Sequence, residues 1–361
     1  MRNAIEPCVA WVVGGEARIG FGVAEERTAS SLSEAVALAA ELSSSADVWF
    51  GGLAFPAGRS WPGFPAARFV RPERVERRRL APARGDAAVD EVIGAMSEPW
   101  RAVVQRAVST RGLEKVVLAR SVTVDVAATP WDIFEALCAL PAARHFFIRS
   151  GASVFMGATP ETLVRWRDGI VEIDALAGSA RPGVDFGEKE YREHDFVVRD
   201  VLRALEGLDV QRPAEPSVME LPYVRHLHTP VRARTSDLGP LLARLFPTSA
   251  VAGAPRERAL EFIAEHEGLD RGWYSGAVGC IGLGEADLAV ALRCLLVEQG
   301  RARLFAGAGI VAGSDPQAEW EETARKMLPA RRAISRAQAN VAADRLLEPA
   351  STSLSVNGGA A

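Results

Sequence analysis

The chain has 361 residues, 48% of them apolar, with a formal charge of −4 and a pI near 5.9. This length and apolar content allow a sizeable core in one large domain or two ordinary ones. The charge excludes a broad basic face for nucleic acid, and no apolar run reaches the roughly 18 residues of a membrane-spanning helix. The apolar residues 8–13 are too few for a signal peptide. We therefore expect a cytoplasmic monomer that acts on a small soluble molecule.

Residues 1–85 are predicted to be a strand-rich first part of the fold. Apolar and β-branched runs predict strands at residues 10–13, 17–23 and 48–53, and the alanine-rich residues 31–42 predict a helix. The arginine-rich residues 71–84 alternate with Pro, Glu and Ala, so we interpret them as a solvated linker in preference to a nucleic-acid-binding arm.

Residues 86–346 are predicted to form the main part of the same fold, and residues 347–361 a disordered tail. Helices are predicted at 86–110, 130–139, 188–205, 240–245, 255–265 and 316–346, and strands at 115–124, 145–150, 153–158, 162–167, 170–175 and 223–229. Residues 286–298 and 301–311 flank Gln299 and Gly300 as a predicted hairpin. Short strands with little chain between them favour antiparallel sheets, and so an α/β fold of the α+β type.

Two Glu-x-x-Glu pairs, Glu190/Glu193 and Glu319/Glu322, are each predicted to lie on one face of a helix. Spacing alone is weak evidence, because residues 73 and 76 form a third such pair and carboxylates on one helix face often form a solvated surface. Two such faces brought together would repel each other unless a cation lay between them. Mg²⁺ accepts one or two carboxylates with several waters. The pairs therefore predict either a magnesium site or a wet surface.

Other charged residues suggest catalytic and anion-binding roles. Arg293 lies in an apolar predicted strand, so its guanidinium needs an anion, either a glutamate partner or a substrate carboxylate. Lys115 opens an apolar strand, either as a solubilising edge residue or as a desolvated general base. Glu161 follows a turn and becomes a candidate general acid if its pKa is raised. The glycines of Gly307-Ala308-Gly309 expose backbone N–H groups for a second carboxylate, or mark a bulge or tight packing.

Zinc is not indicated. The four cysteines form no C-x-x-C pair and no zinc-binding spacing with histidine, so buried, reduced thiols are expected. His226 and His228 form an H-x-H pair, but no third ligand is near in sequence.

Taken together, these segments resemble the chorismate-utilising enzymes, a family that contains isochorismate synthase, salicylate synthase and the large subunits of anthranilate and aminodeoxychorismate synthases. The resemblance runs from about Lys115 to Lys326, and more loosely over residues 48–80. Its blocks are KVVLAR at 115–120, GATPE at 157–161, LAGSA at 176–180, KEYREH at 189–194, HLHTP at 226–230, PTSAVAGAP at 247–255, RGWYSG at 271–276, FAGAGIV at 305–311 and EWEET at 319–323. It implies a single chorismate-binding domain of two pseudo-symmetric antiparallel sheets flanked by helices.

The resemblance also implies a site for chorismate and Mg²⁺. Glu193 and Glu322 resemble direct metal ligands, and Glu190 and Glu319 resemble residues that hold the metal's waters. Lys115 is implied as the base that activates water for attack at C2, and Glu161 as the acid that protonates the departing C4 hydroxyl. Substrate contacts are implied for Gly178, Ser179, His226, Ala250, Tyr274, Arg293, Gly307, Ala308, Gly309 and Lys326.

Single side chains favour isochorismate synthase within this family. Lys115 stands where ammonia-using anthranilate enzymes typically have Gln, and Ala177 where aminodeoxychorismate synthases often have a nucleophilic Lys. Ala250 stands where salicylate synthases usually have Thr. We therefore expect a Mg²⁺-dependent isomerase that makes isochorismate for siderophore, menaquinone or salicylate synthesis. The alternatives are a salicylate synthase, which also eliminates pyruvate, and a non-catalytic chorismate-binding protein.

Overall fold

The computed structural model describes residues 6–80, 95–221 and 223–347. Within these ranges the chain forms nineteen strands and seven helices. The strands are β1 Pro7–Val13, β2 Glu16–Phe21, β3 Glu25–Ala29, β4 Trp49–Leu53, β5 Ala67–Arg71, β6 Arg74–Arg79, β7 Lys115–Asp125, β8 Arg144–Ser150, β9 Ser153–Thr159, β10 Thr162–Arg167, β11 Ile170–Ala180, β12 Val210–Gln211, β13 Ser217–Leu221, β14 Val224–Arg234, β15 Gly253–Ala254, β16 Ala277–Gly282, β17 Glu285–Val290, β18 Cys294–Glu298 and β19 Arg301–Val311. The helices are α1 Leu32–Ser43, α2 Glu98–Ser109, α3 Pro130–Cys138, α4 Glu188–Ala204, α5 Leu238–Leu245, α6 Arg256–His266 and α7 Pro316–Leu347.

The strands form two large antiparallel sheets. The first has the order β15-β7-β19-β18-β9-β8-β1-β2-β6, and the second the order β12-β14-β11-β10-β17-β16-β4-β5-β3, with β13 also paired to β14. The N-terminal strands contribute to both sheets: β1, β2 and β6 to the first and β3 to β5 to the second. The predicted fold class, a mixed α/β fold with antiparallel sheets flanked by helices, is confirmed.

An aromatic core joins the inner faces of the two sheets. Phe155 and Phe305 come from the first sheet, and Trp273 and Tyr274 precede a strand of the second. Trp61 stacks on Phe305 with ring centroids 5.2 Å apart, and Tyr274 stacks on the same ring at 5.3 Å. Each such pair contributes about 0.5–1.5 kcal/mol beyond area burial. Phe305 and Tyr274 also line the cavity described below, so this core fixes one wall of the site.

Helices cover the outer faces. α3 and α7 pack on the first sheet through a core that includes Phe134, Leu137, Met327 and Ile334. α1 and α4 pack on the second sheet, α5 packs on α1 and α4, and α2 and α6 lie over β7 and its neighbours. α7 begins as expected, since the Asp315 carboxylate accepts the N–H of Ala318 at 2.8 Å. None of the described helices is long and apolar enough to cross a membrane.

One predicted strand is wrong. Residues 286–298 form two strands in different sheets, β17 in the second and β18 in the first. The chain changes sheets at residues 291–293, where Arg293 has a φ of 49°. This left-handed conformation is uncommon for a residue with a side chain and cannot continue an extended strand. Arg293 therefore lies between the sheets, not in the middle of a strand.

Other predictions are corrected or lie outside the described residues. Residues 74–79 of the supposed linker form the edge strand β6, which pairs with β2. The helix predicted at 86–110 is seen from Glu98 to Ser109; residues 81–94 and the predicted tail from 348 onward lie outside the described ranges. The cysteines are free, as expected, but only Cys280 and Cys294 are buried, whereas Cys8 and Cys138 are half-buried.

Candidate active site

The predicted site residues converge on a narrow cavity between the two sheets. The cavity has a volume of about 60 Å³ and is lined by residues of the strands, of helix α4 and of the connections between strands, including Glu161, Glu193, His226 and Arg293. A second opening of about 540 Å³ lies next to it and is lined by Glu190, Glu319 and Glu322. Ser179 lines both spaces. The catalytic and the carboxylate-rich parts of the predicted site are therefore adjacent.

Lys115 is buried at the start of β7, with an exposed fraction of 1%. Its Nζ lies 3.3 Å from Glu193 Oε1, although it makes no well-aligned hydrogen bond within the described residues. Gly309 makes this approach possible, because a Cβ there would lie 2.0 Å from Glu193 Oε1 and 3.2 Å from Lys115 Cε. A buried amine needs a charged partner. The edge-solubiliser interpretation of Lys115 is therefore wrong.

Glu161 is buried in the turn between β9 and β10, with an exposed fraction of 3%. Burial, and then the nearby charge of Asp174, raise the pKa of Glu161 to about 8. Burial also works against ionisation of Asp174, but hydrogen bonds from His228 and from Thr162 outweigh it and lower the Asp174 pKa. His228 Nε2 lies 2.7 Å from Asp174 Oδ1. Glu161 thus carries a proton at neutral pH beside an ionised carboxylate.

Arg293 is buried and has no carboxylate within ion-pair distance in the described residues. Its Nη2 instead donates to His226 Nε2 at 2.8 Å. Burial lowers the pKa of Arg293 to about 10. Burial, and then the charges of Arg293 and Lys326, hold the pKa of His226 well below its usual value, so His226 is neutral. The guanidinium remains available to an incoming anion.

The proton on His226 can be assigned from its partners. A guanidinium only donates hydrogen bonds, so Nε2 accepts and Nδ1 carries the proton. Nδ1 lies 3.2 Å from Ser179 Oγ, and the Ser179 hydroxyl in turn donates to the Glu322 carboxylate. Gly178, with a φ of 74°, makes the bulge of β11 that brings Ser179 opposite His226. A directed chain of hydrogen bonds therefore links Arg293 to Glu322.

Three of the four glutamates are paired with lysines. Lys115 pairs with Glu193, Lys189 Nζ lies 2.5 Å from Glu319 Oε1, and Lys326 Nζ lies 2.6 Å from Glu322 Oε1. The fourth, Glu190, caps helix α4: its Oε2 accepts the N–H of Gly187 at 2.8 Å. In this arrangement no three His, Cys, Asp or Glu side chains of the described ranges form a metal-binding group.

The paired carboxylates are electrostatically linked. Burial, and then the charge of Glu322, raise the pKa of Glu319. Burial also opposes ionisation of Glu322, but Lys326 and Lys189 outweigh it and lower its pKa. Glu190, Glu319 and Glu322 line the same opening. The like-charge conflict lies between Glu319 and Glu322 on α7, so the expected repulsion between the two helix faces stays a prediction. The wet-surface interpretation is wrong for Glu193, Glu319 and Glu322, which are buried or nearly so.

The remaining predicted residues divide into those that line the cavity and those that do not. Ala250, Tyr274, Gly307, Gly309 and Lys326 line it. The Gly307 carbonyl accepts from Lys326 Nζ at 3.0 Å, and burial raises the pKa of Tyr274. Two residues stand apart: Ala308 is part of the hydrophobic core under the helices, and Gly178 acts through the bulge it forms.

The sequence did not identify Lys189, Asp174 and His228 as parts of the site. Lys189 is in a recognised block but carried no role there. The H-x-H pattern suggests His228 only as a zinc ligand, whereas in the structure its Nε2 contacts Asp174. The available signal was Asp174 itself, a lone acid in the otherwise apolar residues 173–177 of a strand. A buried acid of this kind requires hydrogen-bonding partners.

Comparison with known proteins identifies a family and several relatives that this chain resembles. Residues 81–335 match the profile of the family described as chorismate binding enzyme. The chain is 41% identical over 278 residues to the salicylate biosynthesis isochorismate synthase of Pseudomonas aeruginosa, covering 71% of this chain and 57% of that protein. It is 34% identical over 256 residues to the isochorismate synthase MenF of Escherichia coli, covering 63% and 58%. The chain thus aligns with somewhat more than half the length of these relatives.

The fold is also shared. The solved structure of MenF, the menaquinone-specific isochorismate synthase of Escherichia coli, superposes with a TM-score of 0.73 and 27% identity. The superposition covers 91% of this chain and 89% of that one. The similarity therefore extends over the N-terminal strands as well as the residues that the family profile matches.

Proposed function

Because the chain belongs to the chorismate binding enzyme family, we propose that it is an isochorismate synthase, an isomerase that converts chorismate to isochorismate. Water adds at C2 of the ring, the ring double bonds shift, and the C4 hydroxyl leaves as water. The reaction is redox-neutral, so it needs a base, an acid and anion-binding groups but no electron carrier. The chain has candidate residues for the base, the acid and the anion-binding groups.

One observation carries the proposal: a carboxyl group that is protonated at neutral pH, Glu161, shares a cavity with Arg293, a buried guanidinium that has no carboxylate partner among the described residues. A protonated carboxyl is the group required to donate to a leaving hydroxyl. A guanidinium binds a carboxylate through two parallel hydrogen bonds. The pair is therefore suited to a substrate that carries both a carboxylate and a poor leaving group.

Lys115 would be the base. Released from Glu193 and in its neutral amine form, it would take a proton from the attacking water, and Glu161 would give one to the departing hydroxyl. Lys115 would then return its proton to solvent and Glu161 would regain one, so that the protons balance in each turnover. Arg293 and Tyr274 would hold the enolpyruvyl carboxylate. Ala250 lines the cavity at the position where Thr would favour pyruvate elimination in the resemblance described above. This supports isochorismate as the final product.

Mg²⁺ would be held by Glu193 and Glu322, with Glu190 and Glu319 around its waters. The donors fit this ion, since Mg²⁺ prefers hard carboxylate oxygens. The conflict between the charges of Glu319 and Glu322 fits as well, because a cation would relieve it. When bound, Mg²⁺ would supply charge for the ring carboxylate of chorismate. The lysine partners of these glutamates would have to release them.

The test is incubation of the purified chain with chorismate and Mg²⁺ in H₂¹⁸O, followed by chromatography and mass spectrometry. We expect isochorismate that carries one ¹⁸O atom, and no sustained formation of pyruvate and salicylate. A Glu161→Gln variant should form no product, and a Glu215→Gln variant, which changes an exposed loop residue, should behave like the wild type. Binding of chorismate without turnover would contradict the proposal. Sustained salicylate would identify a salicylate synthase instead.

A cytoplasmic location and a monomeric state remain predictions, which fractionation and light scattering would check. The choice among siderophore, menaquinone and salicylate pathways rests on which enzyme consumes the product.

A further inference from the structure

A separate cavity lies beyond the other face of strand β7. Its volume is about 540 Å³, and its walls are the N-terminal turn of α2, the middle of β7, the residues after α6 and one face of α7. None of the proposed catalytic, substrate or metal residues lines it. Arg120 is five residues from Lys115, and because side chains alternate along a strand, the two project from opposite faces of β7.

The walls of this cavity carry an excess of positive charge. Arg120 and Arg331 both line it, and neither forms an ion pair with a carboxylate of the described residues. Burial, and then the charge of Arg331, lower the pKa of Arg120 to about 10. The carboxylate in the wall, Glu267, is neutralised by Arg271, with an Nη2 to Oε2 distance of 2.5 Å. Two guanidinium groups that repel each other in a concave site favour an anionic ligand.

The same walls favour a flat ring. Trp100 and Trp320 pack edge to face with ring centroids 5.9 Å apart, and Met327 lies beside them. The Arg120 guanidinium stacks over the Trp320 ring at 3.6 Å while its Nε donates to Thr323 Oγ1 at 2.7 Å. This contact fixes the orientation of Arg120 but leaves its Nη1 without a hydrogen-bond partner in the described structure. Aromatic walls with a few oriented polar groups are typical of small-molecule sites.

The two cavities share a hydrogen-bonded wall. Glu267 Oε2 accepts the N–H of Ala119 in β7 at 2.8 Å. Arg271, held by Glu267, donates to the carbonyl of Val117 at 2.6 Å and to that of Val251 at 2.9 Å. Val117 and Val251 line the proposed catalytic cavity. A ligand that shifts Glu267 would therefore act on the strand that carries Lys115.

We propose that this cavity binds a small aromatic carboxylate, with the carboxylate between Arg120 and Arg331 and the ring against the tryptophans, and that binding alters the catalytic cavity through Glu267 and Arg271. The proposal assigns a second, regulatory site to the chain. It does not depend on which reaction the catalytic cavity performs.

Calorimetric titration of the full chain with benzoate tests the site. Benzamide, which has the ring without the charge, and cyclohexanecarboxylate, which has the charge without the flat ring, should both bind at least tenfold more weakly. Arg331→Gln should weaken benzoate binding about tenfold or more through loss of a charge-assisted hydrogen bond. Arg77→Gln, an equal charge change on the exposed edge strand β6, is the matched control and should bind as the wild type does. Thermal unfolding of each variant would show that it is folded.

Two results would overturn the site: no benzoate binding by the wild type, or equal binding by the wild type and Arg331→Gln. Loss of binding in Arg293→Gln with retention in Arg331→Gln would place benzoate in the catalytic cavity and would also overturn it. The coupling is tested by amide hydrogen exchange. Benzoate should slow exchange in residues 115–120 of the wild type but not of Arg331→Gln, and unchanged exchange in the wild type would remove the coupling. Neither measurement requires turnover of chorismate.

Discussion

Replacing Glu161 by glutamine should stabilise the fold at pH 7 although it removes the proposed acid. The ordinary pKa of this carboxyl is 4.5, and in the fold burial and Asp174 raise it to about 8. Between these values the folded chain holds a proton that the unfolded chain has released. Stability is therefore greatest below pH 4.5 and is lost progressively as the pH rises to about 8. At pH 7 the cost is about 2.5 pH units at 1.36 kcal/mol each, or about 3 kcal/mol.

The glutamine variant lacks this titration, and urea unfolding measures the difference. The free energy of unfolding of Glu161→Gln minus that of the wild type should rise by about 3 kcal/mol between pH 4.5 and pH 7, and become constant above about pH 8. Other titrating groups cancel in the difference. Glu215→Gln should show no such slope. A pH-independent difference, or one that falls with pH, would refute the assignment of a raised pKa to Glu161.

Three further predictions concern the reaction. Asp174→Asn should move the upper pH limit of kcat, expected near pH 8, to lower pH, because the charge of Asp174 helps to keep Glu161 protonated. Lys115→Ala should reduce kcat by about 10²–10⁴-fold, as loss of a general base does, while Mg²⁺-dependent binding of chorismate by calorimetry stays largely intact. Glu322→Gln should raise the Mg²⁺ concentration needed for half-maximal rate, because one ligand charge is lost.

Each of these has a distinct contrary outcome. An unchanged pH limit in Asp174→Asn would mean that burial alone holds the proton on Glu161. Wild-type kcat in Lys115→Ala would remove Lys115 as the base, and loss of binding without loss of kcat would make it a binding residue. An unchanged metal requirement in Glu322→Gln would remove Glu322 from the ligands.

Local pattern predicted most elements of the fold but not the change of sheet at Arg293. The β-branched residues after Lys115 and the apolar face of α4 give local signals, and both elements were found close to their predicted bounds. Residues 286–298 are apolar on both sides of Arg293, which is also the pattern expected of a single central strand. The break between β17 and β18 falls at residues 291–293, where Arg293 has a left-handed backbone conformation. Nothing in the local composition indicates it, because the sheet partners lie far away in sequence.

In the site, as in the fold, local sequence does not reveal contacts between residues that are distant along the chain. The sequence identified which charged residues are present, and the resemblance suggested roles for most of them. It did not indicate how they pair, since Lys189 and Glu319 are 130 residues apart and Arg293 and His226 are 67 apart. Arg293 shows the difference most clearly. Its expected structural alternative was a glutamate, yet its partner is a neutral histidine.

Because His226 is neutral, the hydrogen bonds that link Arg293, His226, Ser179 and Glu322 can all run in one direction. If His226 were protonated, its Nε2 would carry a hydrogen and could no longer accept from Arg293. With its pKa held well below the usual value, it accepts from Arg293 and donates to Ser179, which donates to Glu322. Each hydrogen bond in this series therefore has a fixed donor and a fixed acceptor. Arg293, which would bind the enolpyruvyl carboxylate, and Glu322, which would bind the metal, are therefore linked through groups that need not change protonation. Glu161 is not part of this hydrogen-bond series, and it has the pKa near neutrality that acid catalysis requires.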